Sequence, residues 1–501
     1  TGDKAVHAKV AALVQGFGEF ITKTRNPYAG PKAQDQWAAY TMDKYVVGLI
    51  DAYRLSGVEQ AKTLLPITIE KCRPYISPVS RDRIGKVDPP YDETYVLSEN
   101  LFHVAEITGQ DKYRQMAVHY LLNKEWFDPL AAGQDVLPTK HAYSHTIALS
   151  SGAQAYLHLG DEKYRKALVN AWTYMEPQRF ASGGWGPEEQ FVELHQGKLA
   201  ASLKSSKAHF ETPCGSFADM KLARYLVRFT GEPVYGDGLE RTLYNTMLAT
   251  RLPDSDGGYP YYSNYGAAAE KLYYHQKWPC CSGTLVQGVA DYVLNLYFHD
   301  DNALVVNMFA PSTVKWDRPG GAVQVEQQTN YPAEDTTRLT VTAPGNGRFA
   351  MKLRIPAWAK GAQLRVNGAA QGVQPYRLYA LSNLASMLAL LSYPVLVEPM
   401  LAVKPQAWVW STGYALFVLV CVATAAYTVR RQNDATTAAP PLDDTPRPGW
   451  RECLMWVGLA ATASMLLLAI TRHLTQDVAP VPFLWVLPLA LYLLSFILCF
   501  D

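Results

Sequence analysis

The chain has 501 residues, enough for two or three domains. Its 46 lysines and arginines balance 45 aspartates and glutamates, so the charge gives no argument for nucleic-acid binding, and none is expected. The seven cysteines show no even, regular spacing, which argues against a scaffold held by disulfides.

Residues 1–298 are predicted to form a mainly helical domain. Amphipathic runs there end at glycines, which are typical of helix C-termini. A recurrence of these glycines about every fifty residues suits one helical hairpin per repeat. Such hairpins can stack as an open solenoid or close into an α/α toroid, and the spacing does not choose between them. The glycines are Gly57, Gly109 and Gly160, with a looser match at Gly231.

Residues 299–375 are predicted to form a partial β-sandwich. Short alternating or apolar runs begin near Leu304, separated by Gly, Pro and Asn as in a small antiparallel sandwich. Asn367-Gly368 predicts a tight hairpin turn. The pattern stops after Pro375, before there are enough strands for a complete sandwich. The predicted strands are 303–308, 323–326, 338–341, 351–355 and 364–366.

Residues 376–501 are predicted to be a transmembrane segment that contacts the lipid bilayer through residues 383–500. Four apolar stretches are each long enough to span a membrane, and tryptophans lie near their ends. Arginines between the second and third stretches predict that this loop lies in the cytoplasm. Two spans separate the loop from the N-terminal part, which is therefore predicted to lie on the same side. The N-terminal part itself is expected to be soluble. The predicted spans are 383–403, 408–427, 454–470 and 478–500.

The junction at Pro375–Tyr376 joins two unrelated patterns without a linker. A natural fusion normally keeps each folding unit whole, so we expect a chimeric reading frame. The chain begins at Thr1 without a methionine and ends at Asp501 inside an apolar run, which predicts a fragment at both ends. A signal peptide could precede Thr1, so the compartment stays open.

Three cysteines and one glutamate have the residue types of a metal site. Cys280 and Cys281 are adjacent, and Cys214 follows Glu211 by three residues. Neighbouring cysteines rarely pair with each other, because an unstrained disulfide needs suitably directed Cβ atoms and a Cα separation of roughly 4.4–6.8 Å. A thiolate is both a soft ligand for zinc and a strong nucleophile. Taken alone, the cysteine pair could equally be two buried small hydrophobic residues.

Several segments around these residues resemble glycoside hydrolase family 127, whose founding activity is β-L-arabinofuranosidase. The resemblance covers about residues 37–368, and the paired-cysteine motif is its most specific part. It implies an α/α-barrel catalytic domain followed by β-sandwich domains. The segments that carry it are Gly183–Phe191, Phe210–Ser216 and Trp278–Gly283, with further similarity at 40–44, 95–101 and 141–145.

The resemblance implies retaining hydrolysis of non-reducing-end furanosides such as β-L-arabinofuranosides. Cys280 matches the nucleophile, which attacks the anomeric carbon. Glu189 matches the acid/base through the Glu-x-Phe register, which separates it from the adjacent Glu188. Such a residue protonates the leaving oxygen and then activates water. His141 and His145, one helical turn apart, match residues that hydrogen-bond sugar hydroxyls, although a structural role is an equal alternative.

The resemblance also implies a Zn²⁺ ion that keeps the thiols deprotonated near neutral pH. The chain departs from the characterised members at one point, because two residues, Thr212 and Pro213, stand where those members have one. Asp43 and Glu99 are further candidates for the cleft, with packing roles favoured. The implied zinc ligands are Glu211, Cys214, Cys280 and Cys281.

Two other classes of function stay open. One is a non-catalytic, zinc-stabilised domain that binds carbohydrate. The other is a membrane transport or scaffold protein with the N-terminal region as an appendage. The tail from Tyr376 resembles the membrane part of bacterial fused transporter/spermidine-synthase-like proteins, and no activity follows from it because their soluble domain is absent here.

Overall fold

The computed structural model describes residues 3–28, 31–80, 82, 93–250, most of 258–275, 280–371, and short stretches between 384 and 494. Residues 267, 268, 270, 271, 319, 344–347 and 368 are not among those described. The chain divides into two compact units, Thr1–Gly361 and Ala362–Asp501, which are described separately.

The helices of the first unit form two layers. Helices α2, α4, α7, α10 and α12 each pack against the next one in this series, and α3, α5, α8 and α11 each pack on the helix before them. The mainly helical fold and its hairpins are therefore confirmed, whereas closure into a toroid stays a prediction. The helices are α1 (Lys4–Lys23), α2 (Pro31–Ser56), α3 (Glu59–Cys72), α4 (Leu97–Thr108), α5 (Asp111–His119), α6 (Asp128–Ala131), α7 (Ala142–Leu159), α8 (Glu162–Met175), α9 (Lys198–Ser205), α10 (Thr212–Thr230), α11 (Pro233–Thr242) and α12 (Cys280–Asp291).

The predicted glycine helix ends are confirmed. Gly109, Gly160 and Gly231 follow α4, α7 and α10 in the left-handed conformation, with φ of 68°, 68° and 70°. Glycine adopts this conformation at little cost, and its N–H satisfies a carbonyl of the last turn. Each hairpin can therefore reverse direction directly after its first helix.

Two helices lie in the middle of the domain and carry their first turns into the site described below. Helix α7 is buried continuously from Ala142 to Ala155, and α10 from Thr212 to Met220. These stretches are buried on every face, although they include polar residues. Polar side chains near the start of either helix are therefore enclosed by protein.

A buried ion pair joins α10 to the segment after α8. The Arg179 guanidinium donates to both carboxylate oxygens of Asp219, at 2.6 and 2.9 Å, and both side chains are almost fully buried. The rings of Trp172 and Trp185 lie 4.6 and 5.0 Å from the guanidinium carbon. Thr242 completes the pair by donating its hydroxyl to Asp219 at 2.6 Å.

Replacing Asp219 by alanine should destabilise the fold by about 3–5 kcal/mol, because it removes one of the two carboxylates that pair with a buried guanidinium and leaves only Glu176. Denaturant unfolding followed by circular dichroism measures the change. Asp111→Ala is the matched control, since Asp111 pairs with Arg114 at 3.4 Å on the surface and such pairs contribute less than about 1 kcal/mol. Equal losses in the two variants would contradict a special role for the buried pair.

The strand region follows the helices, and its predicted strands are present with one correction. Strand β8 (Val323–Thr329) alternates buried and exposed residues, as a strand with one covered face does. An antiparallel sandwich was expected, but β6 (Ala303–Val306) and β10 (Ala350–Leu353) pair in parallel, with Ala303 opposite Ala350. Parallel pairing is possible here because the chain crosses from one three-stranded sheet to the other between β9 (Thr337–Thr342) and β10. Such a crossover lets the returning strand run parallel to its neighbour.

The two three-stranded sheets have the orders β7-β8-β9 and β10-β6-β5, and they share a small apolar core of Leu304, Trp316, Val323 and Val325. Four short strands inside the helical region were not predicted. The strands of this unit are β1 (Phe210–Glu211), β2 (Tyr259–Pro260), β3 (Tyr262–Ser263), β4 (Tyr273–Tyr274), β5 (Tyr297–His299), β6 (Ala303–Val306), β7 (Ser312–Trp316), β8 (Val323–Thr329), β9 (Thr337–Thr342) and β10 (Ala350–Leu353).

In the second unit, β11 (Leu364–Val366) and β12 (Ala369–Gln371) pair antiparallel with Val366 opposite Ala369. This pairing agrees with the predicted turn at Asn367-Gly368, although Gly368 itself lies outside the described residues. Among the residues described, no helix combines the length and the apolar character that crossing a membrane requires. Most residues of the four predicted spans, and the arginine loop between them, lie outside the described residues.

Candidate functional site

The four predicted ligand residues converge. One donor atom from each of Glu211, Cys214, Cys280 and Cys281 lies within 4.8 Å of the other three. The Cys281 Sγ is 3.3 Å from the Cys214 Sγ and 3.2 Å from the Glu211 Oε1. Tetrahedral ligands about 2.3 Å from a zinc ion are roughly 3.8 Å apart. The spacing therefore fits one small ion with four ligands.

Secondary structure positions these residues at the starts of two packed helices. Glu211 ends β1 and precedes the first residue of α10, and the cysteine pair opens α12. Pro213 occupies the first turn of α10, where a missing N–H costs nothing. The additional residue between Glu211 and Cys214 is thus absorbed into the helix start, and both side chains still reach the cluster. The N-terminal ends of helices also favour thiolates.

Burial opposes ionisation of most of the cluster. Burial raises the pKa of Glu211 well above its usual range, and nearby Glu189 and Cys280 raise it further. Burial likewise raises the pKa of Cys214 and of Cys281. Hydrogen bonds from these two thiols lower the pKa of Cys280 to about 4 against the effect of burial. Without a cation, therefore, Cys280 is the thiolate of the cluster, and the other three acidic groups favour their protonated forms.

One oxygen of the cluster lacks a partner. The Oε2 atom of Glu211 is buried without a hydrogen bond from the described residues. A buried, unsatisfied carboxylate oxygen costs free energy unless something binds it. Together with three sulfur donors, this oxygen makes the residues fit a thiophilic divalent ion.

Glu189 lies beside the cluster on a turn with unusual backbone geometry. Residues Pro187–Glu189 form a short 3-10 turn in which Glu188 and Glu189 have φ of 55° and 62°. Non-glycine residues in this left-handed region cost about 1–3 kcal/mol each and occur preferentially at functional sites. The neighbouring Gly186 has φ of 84°, and a Cβ there would lie 2.6 Å from the Cβ of Ala142.

Three donors surround the Glu189 carboxylate. The hydroxyls of Tyr261 and Tyr262 each donate to Oε1 at 2.7 Å, and the His141 Nε2 is 3.5 Å from Oε2. Burial opposes ionisation, but hydrogen bonds from His141 and the two tyrosines outweigh it and lower the pKa of Glu189 to about 2. The adjacent Glu188 points elsewhere, because its carboxylate accepts a hydrogen bond from the Ser206 hydroxyl.

The two predicted histidines have different surroundings. The Nδ1 of His141 accepts the backbone N–H of Ser144 at 3.2 Å, so its proton is on the Nε2 that faces Glu189. His145 is fully buried, with Nδ1 3.0 Å from the His141 carbonyl and Nε2 2.8 Å from Asp82. Both ring nitrogens of His145 are thus engaged within the protein. Its contact with a sugar stays a prediction.

Sequence analysis missed several polar groups next to the cluster. Lys44 Nζ is 4.6 Å from the ring centre of Tyr40 and 3.5 Å from the Tyr143 hydroxyl. Burial raises the pKa of both tyrosines, and the thiol groups of the cluster raise it further, so both hydroxyls stay protonated. Tyr40, Lys44 and Tyr143 lie in segments 40–44 and 141–145, which share in the family resemblance. Nothing in the sequence marked Tyr261 or Tyr262 as neighbours of the Glu189 carboxylate.

The two cleft candidates have protein partners. Asp43 accepts from the Asn100 amide at 2.6 Å and pairs with Lys44 at 3.1 Å. Glu99 pairs with Lys221 at 2.6 Å and accepts from the Tyr225 hydroxyl at 2.7 Å. Glu99 is completely enclosed and acts in packing, whereas Asp43 orients Lys44.

The chain is similar to known glycosidases. The family model for the β-L-arabinofuranosidase GH127 catalytic domain matches residues 9–293, and that for the GH127 middle domain matches residues 303–380. No curated protein matches the chain. A solved GH127 β-L-arabinofuranosidase from Geobacillus stearothermophilus T6 is 22% identical, with a TM-score of 0.54 over 68% of this chain and 58% of that chain.

Two further structures show the same fold. A GH127 β-arabinofuranosidase is 20% identical, with a TM-score of 0.53 over 67% of this chain and 55% of that one. A glycoside hydrolase is 16% identical, with a TM-score of 0.52 over 67% of this chain and 60% of that one. The chain therefore spans less than two thirds of the length of each structure. Because the catalytic-domain model matches more than half of its residues, the chain belongs to glycoside hydrolase family 127.

Proposed function

We propose that the protein is a retaining glycoside hydrolase that cleaves non-reducing-end furanosides of the β-L-arabinofuranoside type. Cys280 is the nucleophile and Glu189 the acid/base. The observation that supports this best is the position of Glu189, whose donors Tyr261 and Tyr262 belong to the segment that pairs with Glu211 of the cysteine cluster. One carboxylate and one thiol are thereby brought to the same site.

The proposed metal is Zn²⁺, held by Glu211, Cys214, Cys280 and Cys281. Three thiols select a soft or borderline ion over calcium or magnesium, which prefer oxygen ligands. When bound, zinc supplies positive charge that keeps the thiols deprotonated near neutral pH. The hydrogen bonds made by Lys44, Tyr261 and Tyr262 are formed by the protein alone and do not depend on a bound ion.

The chemistry divides between two side chains. In the first step, a Cys280 Sγ–C1 bond forms, the glycosidic C1–O bond breaks, and Glu189 gives its proton to the leaving oxygen. In the second step, the Glu189 carboxylate takes a proton from water, whose oxygen displaces the sulfur from C1. The hydrogen bonds from Tyr261 and Tyr262 favour the carboxylate form of the second step. A bound sugar that removes water raises the pKa of Glu189 toward the acid form of the first step.

The domain organisation is part of the same proposal. Residues 1–298 form the α/α-barrel catalytic domain and residues 299–375 a partial β-sandwich. Contact of residues 383–500 with a lipid bilayer stays a prediction, which flotation of the full chain with liposomes would test.

Hydrolysis of aryl β-L-arabinofuranosides tests the function directly. The full chain is assayed with its metal content measured by mass spectrometry, and the anomeric configuration of the first product is followed by NMR. We expect turnover with retention of configuration. A folded, zinc-loaded sample that hydrolyses no furanoside would overturn the proposal.

Zinc binding should release protons and weaken as the pH falls. The thiols of Cys214 and Cys281 and the carboxyl of Glu211 have raised pKa values and are protonated in the metal-free protein, so they must lose protons to bind. Calorimetric titration in buffers of different ionisation enthalpy measures the protons released. A binding enthalpy independent of the buffer would contradict the protonated state assigned to the cluster.

A further inference from the structure

A cavity lies in the first unit, lined by residues other than those of the candidate active site. Its volume is about 1180 Å³, above the range of about 300–1000 Å³ that holds drug-sized ligands. It shares no residue with the cysteine cluster or with the turn that carries Glu189. Helix α11, the turn after it, and the loops 331–336 and 357–358 line it.

Two aromatic rings form one wall of this cavity. Tyr331 and Trp358 are nearly parallel, with ring centres 6.2 Å apart and an angle of 17°, and Tyr244 meets Tyr331 edge-on. Trp358 is 62% exposed, although a large aromatic side chain normally gains by burial. An exposed ring in a concave site offers a face to a ligand.

Hydrogen bonds to a single carboxylate, that of Glu240, fix the two rings of the aromatic wall. The Glu240 Oε1 accepts the Tyr331 hydroxyl at 2.6 Å and the Trp358 indole N–H at 3.0 Å. The other Glu240 oxygen accepts from Arg354, whose side chain is only 2% exposed and also donates to the Asn307 carbonyl at 2.5 Å. The polar edges of both rings are thus fixed before any ligand arrives, which lowers the entropy cost of binding.

The charge of the cavity narrows the ligand class. Five carboxylates line it, those of Glu176, Asp237, Glu240, Glu334 and Asp335. Glu176 pairs with Arg179 and Arg241, and Arg354 pairs with Asp237 and Glu240, so the negative charge of the lining comes mainly from Glu334 and Asp335. Such a surface repels anionic ligands, but its carboxylates are good acceptors for hydroxyl groups. A neutral sugar has both features required, namely C–H faces that pack on aromatic rings and hydroxyls that donate to carboxylates.

We propose that this cavity is a second carbohydrate-binding site, which takes a neutral oligosaccharide chain and holds it next to the catalytic domain. Its identification with a glycan rests on the proposed function, because the same surface chemistry also admits a basic peptide. The volume accommodates more than one sugar unit. A site of this kind would hold a polymeric substrate without taking part in bond cleavage.

Binding of the full chain to three probes tests the proposal: a neutral arabinose-rich polysaccharide, polygalacturonate, and a lysine-rich peptide. Affinity electrophoresis and titration should show binding to the neutral polymer alone. Trp358→Ala should weaken it about tenfold, a loss of about 1.4 kcal/mol, which is near the upper end for one aromatic contact. Trp408→Ala, which removes a tryptophan that is 77% exposed in the second unit, should have no effect.

Hydrolysis of a small aryl furanoside separates this proposal from the proposed function. Trp358→Ala should leave that hydrolysis within about twofold. Asn245 also lines the cavity, and Asn245→Ala should weaken polymer binding without removing either ring of the aromatic wall. Loss of aryl-furanoside hydrolysis in every sample, with Trp358-dependent binding retained, would refute the function but support the site. Unchanged polymer binding in Trp358→Ala, or preferred binding of the peptide, would overturn the site.

Discussion

Replacing Cys280 by serine should lower kcat/KM for aryl β-L-arabinofuranosides roughly 10⁴-fold or more, because the proposed reaction then lacks its nucleophile. The low pKa of Cys280, about 4, sets this cysteine apart from its two neighbours, whose pKa values are raised. Its sulfur is the one stabilised as a thiolate by hydrogen bonds from the other two. A serine hydroxyl at this position has no comparable stabilisation.

The matched control is Cys281→Ser, which also removes one sulfur ligand but leaves the nucleophile. Both variants should bind zinc more weakly, and excess zinc should restore much of the activity of Cys281→Ser and none of that of Cys280→Ser. Cys72→Ala, a buried cysteine in α3, should keep full activity. Recovery of Cys280→Ser with zinc would show that its sulfur acts only as a ligand.

The four cluster residues could be predicted from the sequence because their spacing and residue types are chemically distinctive. The helix ends at Gly109, Gly160 and Gly231 could be predicted as well, since a left-handed C-terminal residue strongly favours glycine. These features depend on local chemistry. Local signals were therefore enough to place the helix ends and to single out the four cluster residues, whereas the convergence of these residues depends on the packing of α10 against α12.

The remaining features depend on long-range pairing. The parallel pairing of β6 and β10 joins strands more than forty residues apart, and no local pattern encodes its direction. Tyr261 and Tyr262 reach Glu189 only because β3 pairs with β1. The left-handed backbone of Glu189 is likewise imposed by its surroundings, because glutamate has no preference for that conformation.

Replacing Glu189 by glutamine should lower kcat about 10²- to 10⁴-fold on substrates with poor leaving groups, with the zinc content unchanged. Glutamine fills the same volume and can still accept hydrogen bonds from Tyr261 and Tyr262, but it carries no proton to give and cannot take one from water. The loss in the first step should be smaller for nitrophenyl glycosides, whose leaving oxygen needs little protonation. The second step then becomes limiting, so that KM falls together with kcat.

Glu188→Gln is the matched control for this variant, because it changes the adjacent carboxylate on the same strained turn. Glu188 is bound to Ser206 at the surface and should tolerate the change within about twofold. A stronger defect in Glu188→Gln would reverse the assignment of the two carboxylates. If Glu189→Gln stayed folded but lost zinc, Glu189 would belong to the metal site instead. Such a loss would mean that the Glu189 side chain lies close enough to the ion to affect the zinc affinity.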